Sequence, residues 1–556
     1  MMRRIGALFA AAALLLATRA SAQSPPTWNV GFGNVTPPAS AAFTSTAIGT
    51  RGVIAGGTLS GQVDLGAGAL RARGAPDGIV GSYVAGVASW VLQLGGAGAA
   101  VNVTGVTTDT NGDVYAVGWF TSSVTSSGTP GAPIALATAG GSDVFVLKLS
   151  GATGAPMWAV RDGGAGQDKA YAIALDTSGD IAIAGWFTGT ALFAGQALAS
   201  AGSSDIFVAT YAAANGAPRW AIRYGAAGAD QASALAADTN GIYVAGAFAG
   251  TIDFGSGPMT AAATDAFLLA LTNAGAPRWG RSVSSPGPDS ANAVATAPSG
   301  HVSIAGGAGS TTDSIQAPFI ATYAADGTLQ WAARYAPASA PVFGGVARGL
   351  AAGPDGALIM TGVIVDDLNF GGGPLTAPYS PDVFLASFNA SGGYQWAKRY
   401  VAPPRAEGDA VAIGGASFAL AGLFGSTIDL GLGPLAPGGS VNAFLASFPL
   451  AGAPAPTSTA IPIATGTSTA ARTATAVPTQ TAVPTQTAVP TQTAIAPTQT
   501  AVPTVTRTAI PTATRTAPSA CDVNGDGVVN EQDAILLLDQ AEHILRYLSG
   551  DSPVCP

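Results

Sequence analysis

Histidine and cysteine are nearly missing from this chain, with two of each in 556 residues. Only His301 lies in the long central stretch; the other, His543, is near the C-terminus. A multi-histidine metal site is therefore excluded from that stretch, and a Ser-His-Asp triad would have to use a single copy. Neither G-x-S-x-G nor H-E-x-x-H occurs, and His301 reads as an ordinary strand-end residue. Charge is also scarce, at 10% of residues and a net −9. The 22 basic residues form no cluster, which argues against nucleic-acid binding. Apolar runs of about 20 residues, the length that spans a bilayer, are missing as well.

What the chain does hold is turn-forming residues, 75 glycines and 38 prolines, alongside 48% hydrophobic residues. That balance suits an all-β protein with many turns, and the length allows a large core. The first 22 residues carry Arg3-Arg4, an apolar run from Ile5 to Leu16 and Ala20-Ser21-Ala22. This is the pattern of a secretory signal peptide cut before Gln23, so the mature protein is expected to be secreted or held at the cell surface.

From residue 23 to 452 the chain is organised around one recurring unit, clearest as DIFVATYAAANGAPRWAIRY at Asp205–Tyr224. Apolar residues alternate from Ile206 to Tyr211, Asn215-Gly216 supplies a turn, and the chain returns around Trp220, which reads as a β-hairpin. Copies run Asp143–Trp158, Asp265–Trp279 and Asp382–Trp396. Seven tryptophans share this phase: Trp28, Trp90, Trp158, Trp220, Trp279, Trp331 and Trp396. Between them lie two further strand signals, as in AYAIALDTSGDIAIAGWF from Ala170, where Asp176 to Asp180 forms the turn. Each unit thus supplies four short strands, one blade of a β-propeller.

The order of the strands predicts how such a ring closes. The last set, ending NAFLASFPLAGAP, has no tryptophan strand after it, and the Trp28 strand has no set before it. The sequence therefore predicts a seven-bladed β-propeller closed by its N-terminal strand, which becomes the outermost strand of the last blade. A second phrase recurs as VDLGAGAL from Val63, IDFGSGPM from Ile252, LNFGGGPL from Leu368 and IDLGLGPL from Ile428. Its bulky residue is expected to anchor a loop whose glycines turn tightly; the fifth blade lacks the phrase.

G-x-G-x-D at Gly164–Asp168, then Asp-x-x-Gly, Asp-x-Phe and a closing Trp resemble the bacterial β-propeller repeat called SBBP, over roughly Trp28 to Leu450. The resemblance implies the fold and a secreted or surface setting, with no assigned chemistry.

Acidic residues recur at blade starts and turns: Asp143, Asp205, Asp265 and Asp382, then Asp168, Asp230, Asp289 and Asp409. Paired carboxylates can act as acid and base, but positions that repeat in every blade are read as caps. A break in the repetition is more informative. The residue after the strand glycine is Trp119 in AVGW and Trp186 in AIAGW, against Gly57, Ala247, Gly307, Val363 and Leu423 elsewhere. Two adjacent indoles could stack on sugar rings or a partner surface, or could pack between blades.

Residues 453–520 are a Pro/Thr/Ala tract with VPTQTA three times in tandem from Val477, expected to be a disordered, semi-stiff spacer suited to O-glycosylation. Residues 521–556 open with CDVNGDGVVNEQDAILLL. Asp522, Asn524, Asp526, the Val528 carbonyl, Asn530 and Asp533 fall at loop positions one, three, five, seven, nine and twelve, a spacing that wraps one Ca²⁺ ahead of a helix. Aspartate at the twelfth position, after Val529-Asn530, resembles the type I dockerin repeat, although only one loop–helix half is legible. A cohesin-like partner, or a second copy, is what that resemblance implies. Cys521 and Cys555 bracket this module, and in an exported protein they read as a disulfide, closing a loop for roughly 3–4 kcal/mol.

These features together predict an exported, non-catalytic propeller that presents a protein- or carbohydrate-binding surface and is tethered through a calcium module, in a polysaccharide-associated setting. The competing class is a polysaccharide-degrading glycoside hydrolase or lyase with its site on a propeller face. A quinoprotein-type dehydrogenase would share the blade hairpin, but nothing in the sequence marks its cofactor site.

Overall fold

The computed structural model describes residues 23–450, apart from 75, 310–316, 338–343 and 377–380. The signal segment 1–22, the 453–520 tract and the 521–556 module, with Cys521, Cys555 and the calcium-loop residues, lie outside the described residues.

Among the described residues every regular element is a β-strand. Seven antiparallel sheets each hold a core of four strands, here called A to D from one edge to the other. The third is representative: A, Asp168–Leu175; B, Asp180–Phe187; C, Asp205–Ala212; D, Pro218–Tyr224. The alternation read from the sequence is the pleat of strand C, and the Asn215-Gly216 turn joins it to strand D with Gly216 at φ 71°. In the seventh sheet, A (Ala406–Gly414), B (Ser417–Phe424) and C (Asn442–Pro449) come from the end of the repeat region, but D is Trp28–Phe32. Trp28 stands opposite Ser447, as Trp396 stands opposite Ser387 in sheet six. Successive A strands pack beside one another, and that of sheet seven packs beside that of sheet one. The architecture is all-β and propeller-like.

Two repeated devices join the sheets, and both rest on glycine. Strand A bulges in every sheet, leaving an extra residue out of the ladder: Thr44, Thr104, Tyr171, Ser233, Asn292, Arg348 and Asp409. Strand B meets the residue before the bulge with a glycine. At Gly185 an added Cβ would lie 2.0 Å from the Lys169 carbonyl oxygen, which no side chain tolerates. Several bulge residues reach the next sheet. Thr44 Oγ1 donates to the Val103 carbonyl at 2.8 Å, Thr104 Oγ1 to that of Ala170 at 2.8 Å, and Asn292 Nδ2 to that of Ala347 at 3.0 Å.

The second device uses the seven tryptophans. Six of these indoles, all but that of Trp396, reach the C–D turn of the following sheet. Trp220 shows the geometry: its ring covers Gly275, which is at φ 84°, and its Nε1–H donates to the Asn273 carbonyl at 2.9 Å. A Cβ on Gly275 would come within 3.0 Å of the ring, so the position needs glycine for both space and backbone sign. Trp90 donates likewise to Gly151, Trp158 to Ala213, Trp279 to Ala325 and Trp331 to Ala390. Trp28 covers Gly86 of sheet one.

The second recurring phrase is a stapled loop. Asp64 Oδ1 accepts from the N–H groups of Gly66 and Gly68, and Asp253, Asn369 and Asp429 do the same in their sheets. The bulky residue that follows, Leu65, Phe254, Phe370 or Leu430, is buried.

Candidate binding face and its buried charges

The B–C and D–A loops share one end of the sheets, where short parallel bridges join them, Ser142 to Gln167 and Ser204 to Ala229. The recurring carboxylates sit here. Asp143 opens strand C of sheet two with no exposed surface; its Oδ2 accepts from the Ala139 N–H and from Arg161 Nη1 at 2.7 Å. Asp205 pairs with Arg223 and Asp382 with Arg399 in the same way. In sheet seven Asn442 stands in this place, accepting from Gly438 and Gly439 and donating to the Phe424 carbonyl. These residues are caps that knit loop backbone to strand ends.

Asp168 and Asp289 open A strands, Asp230 immediately precedes one, and all three are equally enclosed. Asp168 Oδ2 accepts from the Gly164 N–H. Burial pushes its carboxyl up to about 7; that hydrogen bond works against the rise and the nearby Asp143 charge adds to it. Burial raises Asp230, Asp265 and Asp289 too. Asp409 corrects the sequence reading. It does not open its A strand; it is the bulge residue, bound at 2.6 Å by Arg348 Nη1, which also contacts Glu407. His301 sits half-buried at the foot of a B strand, accepting from Ala297 in the turn.

Trp119 and Trp186 lie near this same end, late in the B strands of sheets two and three, opposite Asn102 and Lys169 of their A strands. In sheet one the equivalent position is Thr58, since Gly57 is the glycine that faces the bulge. The structure brings the two indoles to one lysine. Lys169 Nζ lies 4.3 Å from the Trp119 ring centre and 5.3 Å from that of Trp186. Trp186 is 9% exposed, whereas Trp119 is half-buried and keeps part of its surface open. A cation between two ring faces is favourable by about 0.5–2 kcal/mol per contact and fixes both rings. The other five sheets have no aromatic residue at this place.

The opposite end carries the A–B and C–D turns. Asp238, Thr296, Ala352 and Ile413 surround a funnel of about 500 Å³ there, walled largely by turn backbone.

Sequence reasoning missed the role of the bulge residue and that of the tryptophans. The bulge has a signal, a polar or bulky residue between small ones in KAYAI, QASAL, SANAV and EGDAV. For the tryptophans the signal is Gly-x-x-x-Trp, repeated six times from Gly86-Trp90 to Gly392-Trp396.

A family model described as SBBP, beta-propeller repeat, matches residues 89–119, from the D strand of sheet one to Trp119 in sheet two. Among solved structures, the Pan2 WD40 domain of Neurospora crassa is similar over 75% of this chain and 95% of its own, with 10% identity and a TM-score of 0.36. A europium-containing methanol dehydrogenase is similar over 73% of this chain and 81% of its own, with 10% identity and a TM-score of 0.33. The quinohemoprotein alcohol dehydrogenase of Comamonas testosteroni covers 75% of this chain and 77% of its own, with 12% identity and a TM-score of 0.34. No curated protein matches the chain.

Proposed function

We propose that this chain is an exported, non-catalytic, seven-bladed propeller whose B–C and D–A loop face binds a protein or carbohydrate ligand. The N-terminal strand closes the ring; the Trp28–Ser447 pairing and the packing of the first and last A strands support this. Binding is assigned to the face because the repeated acids are engaged as caps, which leaves the unrepeated Trp119–Lys169–Trp186 cluster as its distinctive feature. That cluster carries the reading. Trp119 offers the open aromatic surface, and Lys169 and Trp186 hold it rigid, so little side-chain entropy is lost on binding.

The C-terminal residues complete the proposal. Asp522, Asn524, Asp526, the Val528 carbonyl, Asn530 and Asp533 would hold one Ca²⁺, and the dockerin-like module would tether the propeller to a cohesin-like partner or a second copy. The Cys521–Cys555 disulfide would close the module, and a polysaccharide-associated assembly is the setting that fits.

The experiment is a glycan array and surface-protein capture with the wild-type chain and with Trp119→Ala combined with Trp186→Ala. Lost binding by a variant whose melting is nearly unchanged supports the face. A large fall in melting temperature with ligand still bound would assign the indoles to packing between blades and overturn it. The competing reading is a glycoside hydrolase or lyase that would draw on the Asp143 and Asp168 carboxylates at this end, where burial raises that of Asp168 to about 7. Turnover on a polysaccharide panel, abolished by Asp168→Asn, would establish that class instead.

A further inference from the structure

The B-strand residue that follows the bulge-facing glycine has one A-strand residue directly opposite it in every sheet, and these pairs form a row from sheet to sheet. In sheets two to four the row holds Asn102 with Trp119, Lys169 with Trp186, and Gln231 with Ala247. Partners directly opposite in an antiparallel ladder project from the same face of the sheet. Lys169 reaches across to Trp119 of the preceding sheet, and the shared register puts Asn102 and Gln231 on the corresponding face of their own sheets. Taken sheet by sheet, the row reads amide, indole, ammonium, indole, amide.

Only part of the row is open. In sheets five to seven the A-strand place holds Ser290, Val346 and Glu407, which are 2%, 9% and 4% exposed. Asn102, Lys169 and Gln231 are each half-buried and keep surface toward solvent. Among the described residues, neither the Asn102 nor the Gln231 amide has a hydrogen-bond partner in the chain. The two indoles hold the Lys169 ammonium without neutralising it, because a ring face is one pole of a quadrupole and carries no net charge. Partial burial then strengthens the pull of that ammonium on an anion, since less water screens it.

We propose that this open stretch binds an acidic polysaccharide, a chain containing uronate sugars. One sugar ring stacks on Trp119, a carboxylate meets the Lys169 ammonium, and hydroxyl groups meet the Asn102 and Gln231 amides. Each amide both donates and accepts, as sugar hydroxyls do. An indole between such groups suits a polymer with an apolar C–H face and hydroxyls at its ring edges. An indole and two amides alone would take a neutral glycan; the ammonium between them is what selects for acid. The inference rests on the binding reading of this face and adds the charge of the ligand.

Calorimetric titration of the full chain with polygalacturonate, alginate and hyaluronate, each beside the same polymer carrying methyl esters in place of carboxylates, tests it. At least one acid form is expected to bind about tenfold more tightly than its ester, the ratio that one charge-assisted hydrogen bond supplies. That margin is expected to narrow in high salt and to vanish in Lys169→Met. Equal binding of acid and ester by the wild type, no binding of any acid form, or a margin that survives Lys169→Met overturns the inference. A neutral glycan still held on the array would then leave the binding reading of the face standing. Polyglutamate bound as tightly as the best uronate polymer also overturns it and gives the face to an acidic protein. Should Lys169→Met fail to fold, Asn102→Asp sets a carboxylate in the row and leaves the lysine and both rings in place. It is expected to abolish the preference for acid over ester, and a margin unchanged from wild type overturns the inference.

Discussion

Phe32→Ala is the sharpest probe of how the ring is joined, because this residue belongs to one sheet by its backbone and to another by its side chain. Its backbone pairs with Ala443 in sheet seven. Its ring is 3% exposed and packs 5.5 Å from Phe43 and 5.2 Å from Tyr83, both in sheet one. Truncating a buried phenylalanine costs about 3–5 kcal/mol, combining lost transfer energy with the cavity left behind. Edge-to-face aromatic pairs add about 0.5–1.5 kcal/mol each beyond their area. Neighbours can collapse only partly, because Phe43 and Tyr83 are themselves fully enclosed. An overall cost of about 4 kcal/mol is expected, a roughly thousandfold shift in the folding equilibrium. Urea unfolding followed by tryptophan fluorescence measures it, with the midpoint falling. Hydrogen exchange should quicken first in the Asn442–Pro449 amides, which would become those of a frayed edge. A cost below about 1 kcal/mol, the range of ordinary surface substitutions, would show that residues 23–32 are a tail and that the ring is joined otherwise.

Two further outcomes follow from the buried charges and the C-terminal loop. The Asp168 carboxyl sits at about 7 in the folded protein against an ordinary 3.8, so the folded state holds its proton more tightly. Its contribution is full below about 3.8 and is lost as pH rises through 7, a swing of about 4 kcal/mol. Asp168→Asn keeps the acceptor for Gly164 and removes the charge, so its advantage over wild type is expected to grow by up to ~3 kcal/mol between pH 5 and pH 8. A difference that does not vary with pH refutes that assignment. Calorimetric titration of the full chain with Ca²⁺ is expected to show one bound ion, lost in Asp522→Ala combined with Asp526→Ala; a wild type that takes up no calcium refutes the loop.

What was legible in the sequence is what must be paid out in the same place in every blade. The period-two runs, the Asn215-Gly216 turn and the seven tryptophans announced four-stranded units because each is a local pattern within about ten residues. The tryptophan's partner was not legible in the same way. Gly216 and Trp220 are neighbours in one hairpin, yet Trp220 covers Gly275 and Gly216 lies under Trp158, so the contact links successive repeats. Two register errors share a cause. The Gly56-Gly57 pair hides which glycine faces the bulge, and EGD at Glu407–Asp409 imitates the G-x-D that opens other A strands. The backbone settles both, since the bulge fixes the count. Trp119 and Trp186 were visible as exceptions to the repeat, but Lys169 was not, because one lysine in a strand carries no pattern.

Direction along the strands separates the two ends of this molecule. Every C strand runs from the B–C loop end to the C–D turn end, so the last one delivers the chain at Leu450 to the end opposite Trp119. The funnel among Asp238, Thr296, Ala352 and Ile413 opens at that end and is walled mostly by turn backbone, which offers a ligand few side chains to grip. The face with the unrepeated aromatic cluster is thus the one that offers a ligand side chains to stack on.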